Sequence, residues 1–207
     1  MFTVYGRANS INVRKVLWML DEVGEPFLRH DWGRGFRPTS DPEFMQLSAF
    51  GVVPVVVDDG VVLRESQSIV RYLASKHQRW DLYPTDLKTR ARVEGWMDWA
   101  ATDLYSAARP VFHAMLVHAK DPATAIAPAD GVADWSKHMA RLDRQLAASG
   151  PFLMGDAFTI ADIPTGLVVN RWFSLRFDKP VLPAVSAYYD RLAERPAYRT
   201  HGRNGTP

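Results

Sequence analysis

At 207 residues the chain suits one large domain or two small ones, and it can bury a proper core without disulfide or metal staples. Its 25 basic and 23 acidic residues leave a net charge of +2, and no run of five like charges gathers into a patch that would recruit nucleic acid. No apolar stretch approaches membrane-spanning length and the N-terminus carries no signal-peptide pattern, so the expected compartment is the cytoplasm.

There is no cysteine. Zinc–thiolate sites and a protein-borne thiol nucleophile are thereby excluded, and any thiol chemistry must arrive with a ligand. The histidines do not suggest a metal site either: His113 and His118 are five apart, not the three or four that share a helix face.

Phe2–Tyr5 reads as a short first strand, ended by Gly6. After Arg7-Ala-Asn-Ser10-Ile-Asn12 comes an amphipathic helix with Val13, Val16, Leu17 and Leu20 at helical spacing, stopped by Gly24 and followed by Pro26. Phe27–His30 is a second strand, expected to run parallel to the first because a helix joins them. Asp31 to Ser40 is a glycine-bearing loop, and Asp41-Pro42 opens a short helix to about Leu47. Phe50 to Val57 is β-rich with Pro54 near its start; Asp58-Asp-Gly60 turns it into Val61–Arg64 as a hairpin. Ser66 is then positioned to cap a helix reaching about His77, whose free N–H groups attract an anion.

Beyond Pro84 only helical periodicity remains, which predicts a boundary near residue 80: one domain over 1–79, a linker over 80–87 and a helical domain over 88–207. A long helix begins at Asp86 and carries Val93, Met97, Ala100 and Leu104, with a kink expected at Pro110. Residues 119–131 form a loop, and Trp135, Met139, Leu142 and Leu146 mark the next helix. Thr159-Ile-Ala-Asp162 is a capping-box pattern, with Phe158 and Ile163 in the staple positions and Pro164 expected to cost one backbone bond. Val185, Tyr188 and Leu192 define a further helix, Arg195–Tyr198 a last turn, and His201 to Pro207 a loose tail.

Val53-Pro54 followed by Glu65-Ser66 resembles the glutathione-binding half of the cytosolic glutathione transferases. Phe152–Asp156 through Phe158-Thr-Ile-Ala-Asp162 resembles the buried helix cap of that family's C-terminal domain. The two motifs fall in different domains at the family's separation. The resemblance is to serine-type bacterial members of theta or beta character. It implies a thioredoxin-like domain followed by an all-helical one, and a cis Val53–Pro54 bond with the Val53 backbone pairing with the cysteinyl part of glutathione. It also implies that Glu65 and Ser66 hold the γ-glutamyl end, and a homodimer with the Ser66 helix near its interface. Glutathione would be the co-substrate, a small electrophile the second substrate, and no metal, membrane or nucleic acid would be involved.

Within that frame Ser10 is the expected catalytic hydroxyl, with Asn12 orienting it or adding an amide donor. A thiol of pKa roughly 8.5 needs about 2.7 kcal/mol of preference for thiolate to drop two units. One hydrogen bond to a charged acceptor supplies about 1.5–3 kcal/mol, and a helix N-terminus adds up to about 1. No general base is required. A serine in this place also serves simply as a helix cap, and Tyr5 is the rival hydroxyl. Arg34 or Arg37 would pair with the glycyl carboxylate. Tyr105, Arg109, Phe112 and Trp172 are candidates to line the second-substrate pocket together with Tyr5, and Arg109 would stabilise charge developing on the electrophile.

Ser48, Phe50 and Val52 depart from the family pattern by replacing polar residues near the ligand. Three other activities suit the same frame: a glutathione-dependent disulfide reductase, an isomerase using glutathione catalytically, and a non-catalytic binding protein.

Overall fold

The edge-to-edge order of the sheet follows from how its strands are connected. A computed structural model describes residues 1–207. Strands β1 (Phe2–Tyr5), β2 (Phe27–His30), β3 (Val55–Asp58) and β4 (Val61–Arg64) form one sheet in the order β2-β1-β3-β4. The helix α1 (Ile11–Val23) carries the chain over the sheet, so β1 and β2 pair in parallel, Phe2 opposite Phe27. β3 returns antiparallel to β1 with Tyr5 opposite Val55, and Asp59-Gly60, both at positive φ, turn it into β4. With α2 (Pro42–Leu47) and α3 (Ser66–Lys76) this is a thioredoxin-like unit.

The rest is helical. α4 (Leu87–Trp99) and α5 (Tyr105–Phe112) belong to one long helix, and α6 (Ala129–Ser149), α7 (Asp162–Ser174), α8 (Pro183–Leu192) and α9 (Pro196–His201) follow. No helix is long and apolar enough to cross a membrane. The local signals explain most boundaries. Gly24 ends α1 in the left-handed conformation, and Asp41 caps α2 by accepting from the Glu43 N–H at 2.9 Å.

α1 sits at the centre of the molecule. Val13, Val16, Leu17 and Leu20 are buried as expected, but so are Arg14, Lys15, Trp18 and Met19. An amphipathic pattern anticipates one covered face. Here the second face is covered too, by α7 and α9, with the Trp18 ring 4.7 Å from Tyr198 and 5.8 Å from Phe158. Gly166 on α7 permits this approach: a Cβ there would stand 3.2 Å from Trp18 and 2.6 Å from a Leu192 methyl. One apolar cluster thus runs from Phe2 and Val4 through α1 to Trp135 and Tyr198.

Pro110 lies inside α5, and the long helix contains π-helical turns at Ala100–Leu104 and His113–Val117 on either side of it. Three local expectations are corrected. Pro164 falls in the first turn of α7, where its missing N–H had no intrahelical acceptor to lose. In the Thr159–Asp162 box, the Asp162 carboxylate accepts from the Thr159 N–H at 2.8 Å, but the Thr159 hydroxyl turns to Asp162 rather than to the helix. Asp162 also accepts from Leu153 N and the Tyr188 hydroxyl, knitting the 152–162 loop to α8.

The third is the tail. It is not loose. The buried Arg14 guanidinium donates to the backbone oxygens of His201, Gly202, Thr206 and Pro207, and Asn170 donates to Thr206 O at 2.7 Å.

Candidate active site

Gly6 brings the end of β1 against the proline corner. Its φ is +152°, and a Cβ there would meet Val13 at 2.5 Å and Val53 at 3.1 Å, so a side chain would push these segments apart. The Val53–Pro54 bond is cis. The loop from Arg7 to Ser10 therefore lies beside Val53, and α1 begins at the same point.

Ser10 has the backbone of an N-cap, φ −80° and ψ 125°, and its carbonyl accepts the first helical bond from Arg14 at 2.9 Å. Its hydroxyl makes no capping bond and is nearly buried. The hydroxyl is thus left free at a helix N-terminus, beside first-turn N–H groups that have no intrahelical acceptor. Asn12 is held from behind: its Oδ1 accepts from the Lys15 ammonium at 2.9 Å. Lysine only donates, so the amide oxygen faces it and the Asn12 NH2 remains available to a ligand.

A cavity of about 380 Å³ opens at this point. The β1–α1 loop contributes Arg7, Asn9, Ser10 and Asn12; the loops beyond β2 and before β3 contribute Arg34, Thr39, Val52 and Val53. From the helical side come Tyr105 and Phe112 of α5, His113 and Arg171. Ser10, Asn12, Arg34, Val53, Tyr105 and Phe112, all anticipated from the sequence, are therefore brought together.

The cavity is electropositive, with no carboxylate in its wall. Burial lowers the Arg7 pKa, and Arg34 nearby lowers it further. Lys15 is driven down to about 8, first by burial and then by Arg171, against an opposing pull from Glu65. His113 is lowered by burial and by the cations around it, Arg109 the strongest of these, so the imidazole is neutral at neutral pH.

Other anticipated residues sit elsewhere. Arg37 lies over the Trp32 ring at 4.0 Å and pairs with Asp41 and Glu43, so its charge is already engaged. Trp172 is buried against Trp135 and Phe177, part of the core rather than the cavity wall. Tyr5 packs beside His30, ring centroids 5.3 Å apart, away from the cavity wall. Arg109 is exposed and outside the wall, acting on the site only through His113.

Pro54 is buried behind Val53. Glu65, not Ser66, occupies the N-cap position of α3; it has φ +64°, and Ser66 is the first helical residue. Neither lines the cavity, though the Glu65 carboxylate at the start of α3 is near enough to Lys15 to raise its pKa. Among the departures, Val52 is in the wall, Phe50 is exposed beneath the Arg64 guanidinium, and the buried Ser48 hydroxyl has no partner.

Arg7, Lys15, His113 and Arg171 escaped the sequence reading. Lys15 had a signal, lying one turn beyond Asn12 on the same helix face. Arg171 had a weaker one: it is a lone cation at the end of the apolar run Leu167-Val-Val169.

The chain is similar to known proteins along almost its whole length. Residues 9–76 match the family described as "Glutathione S-transferase, N-terminal domain". The chain is 33% identical over 201 residues to glutathione S-transferase GstB of Escherichia coli strain K12, covering 96% of each. It is 29% identical to disulfide-bond oxidoreductase YfcG of the same strain, covering 92% of this chain and 89% of that one. Among solved structures it resembles the theta class glutathione S-transferase of Xanthomonas axonopodis pv. citri with glutathione bound: TM-score 0.89, 35% identity, covering 97% and 96% of the two chains.

Proposed function

The chain belongs to the glutathione S-transferase family, and from that premise we propose that it conjugates the thiolate of glutathione to small electrophiles, with Ser10 stabilising the thiolate. The observation that carries this reading is the uncommitted Ser10 hydroxyl at the start of α1, opening on a cavity walled by cations. A hydroxyl that capped its own helix would be spent. This one has its proton to give to sulfur.

Donation from Ser10 to the sulfur, about 1.5–3 kcal/mol, together with the helix end at up to about 1, suffices to lower the thiol by about two units. Asn12, with its oxygen held by Lys15, offers a second donor. The cavity cations bias the thiol in the same direction. The thiolate then attacks the electrophile, and Tyr105 and Phe112 supply the apolar wall against which that molecule rests.

Glutathione would lie along the sheet side. The Val53 backbone takes the cysteinyl part, Arg34 the glycyl carboxylate, with Arg7 beside it, and Glu65 and Ser66 the γ-glutamyl end. The left-handed backbone at Glu65 supports this role, because strained non-glycine residues persist where a site over-determines them. In this reading residues 1–79 are the glutathione domain, 80–87 the linker and 88–207 the electrophile domain. The protein would act as a cytoplasmic homodimer in detoxification.

Disulfide reduction is the second reading, favoured by the likeness to YfcG. Lacking cysteine, the chain would need a second glutathione to release the first from a mixed disulfide. Parallel assays with an activated aryl halide and with a small glutathione-reducible disulfide separate the two. Conjugation exceeding disulfide exchange supports the transferase; the reverse ratio replaces it.

A further inference from the structure

Arg171 is buried to 3% exposure, lines the cavity, and forms no ion pair. Its Nε has no hydrogen-bond acceptor. The guanidinium carbon lies over the Phe112 ring at 3.7 Å, which offsets part of the desolvation, and the Tyr105 hydroxyl stands near enough to support the charge, but Nε is left without an acceptor. Buried charges are ordinarily paired, and buried donors ordinarily bonded. An exception that faces a cavity points to a partner supplied from outside the chain.

Resting on the transferase reading, glutathione occupies the sheet side, where Arg34, Arg7 and the start of α3 meet its two carboxylates. Arg171 stands on the helical side, with Tyr105 and Phe112, where the second substrate must lie. We propose that Arg171 receives an anionic group of that substrate, so that the preferred electrophiles are small acids carrying a displaceable group near the carboxylate.

The chemistry balances without any further reactant. The thiol proton leaves to solvent as the thiolate forms. The sulfur then bonds to the carbon bearing the leaving group, and that group departs as an anion with the bond's electron pair. Arg171 binds the carboxylate throughout and is not consumed. A guanidinium suits this task because it meets both carboxylate oxygens in one plane.

The test pairs ligands that differ only in charge. Binding of S-carboxymethylglutathione and of its neutral S-carbamoylmethyl analogue is measured by calorimetry. Turnover of a haloacetate and the matching haloacetamide is measured alongside, each divided by its uncatalysed rate. The wild type is expected to favour the acid about tenfold or more in both readouts, as one charged hydrogen-bonded contact implies. Arg171→Met should bring the ratio near one, and Arg171→Lys should restore part of it. The ratio is the readout, so a general loss of affinity in a variant cancels.

A wild-type ratio near one overturns the proposal whatever the variants do; it is also the result expected if Arg171 holds a carboxylate of glutathione itself. An acid preference that survives Arg171→Met overturns it as well. If neither conjugate nor glutathione binds, the transferase reading fails and takes this one with it. Glutathione binding with no acid preference defeats this proposal alone.

Discussion

Two buried arginines on neighbouring helices are treated in opposite ways. Arg14 on α1 is surrounded by acceptors: backbone oxygens from His201 to Pro207 converge on it and close the C-terminal segment over the helix. Arg171 on α7 is as deeply buried, yet it rests on an aromatic ring with its Nε unmet. Burial lowers both pKa values to about 10, so desolvation alone does not tell them apart. The acceptor inventory does. A satisfied buried cation is part of the structure; an unsatisfied one beside a cavity is part of the site. Lys15 falls between them, with one acceptor in Asn12 and the Glu65 carboxylate nearby.

The contrast can be broken most sharply at Arg14. Arg14→Met strands several backbone oxygens at once and should cost about 3 kcal/mol, read as a lower urea midpoint with earlier proteolysis of the C-terminal segment. A variant as stable as wild type would mean the segment is held by something else, with Asn170 the remaining candidate.

Lys15 gives the next effect. Its folded pKa of about 8 lies below the ordinary 10.5, so between these values the unfolded chain holds a proton that the folded chain has released. Stability contributed by this group therefore rises with pH across that window, by roughly 3 kcal/mol in full. Urea unfolding at pH 7.5 and pH 10 should show wild type gaining on Lys15→Met as pH rises. Parallel curves would mean that Lys15 is neither desolvated nor crowded by Arg171.

Arg171→Met should have the smallest effect on stability and the opposite sign to Arg14→Met. Replacing an unpaired buried charge by an apolar side chain of similar length is neutral or stabilising by about 1 kcal/mol. A loss matching that of Arg14→Met would erase the distinction between the two sites.

The sheet side of the cavity was legible because the backbone itself is marked there. Pro54, Gly6, the Asp59-Gly60 turn and the Ser10 position each allow few conformations, and the topology follows from them. The helical side is decided by rotation about a helix axis. Trp172 was expected at the pocket and its neighbour Arg171 is there instead, a step of about 100° that periodicity cannot resolve on a helix buried all round. Arg34 and Arg37 looked equivalent in the loop until Trp32, Asp41 and Glu43 claimed the second. The C-terminal segment looked loose because its acceptors are main-chain oxygens, which no residue name reveals.

On the transferase reading, the free Ser10 hydroxyl makes the thiolate. Glutathione is titrated into wild type and Ser10→Ala while thiolate absorbance is followed across neutral pH. Wild type should show bound thiol ionising about two units below its free value near 8.5, and the variant should lose at least one of those units while still binding. Equal ionisation in both proteins, with binding intact, would contradict this role and leave Ser10 as no more than the residue at the N-cap position of α1.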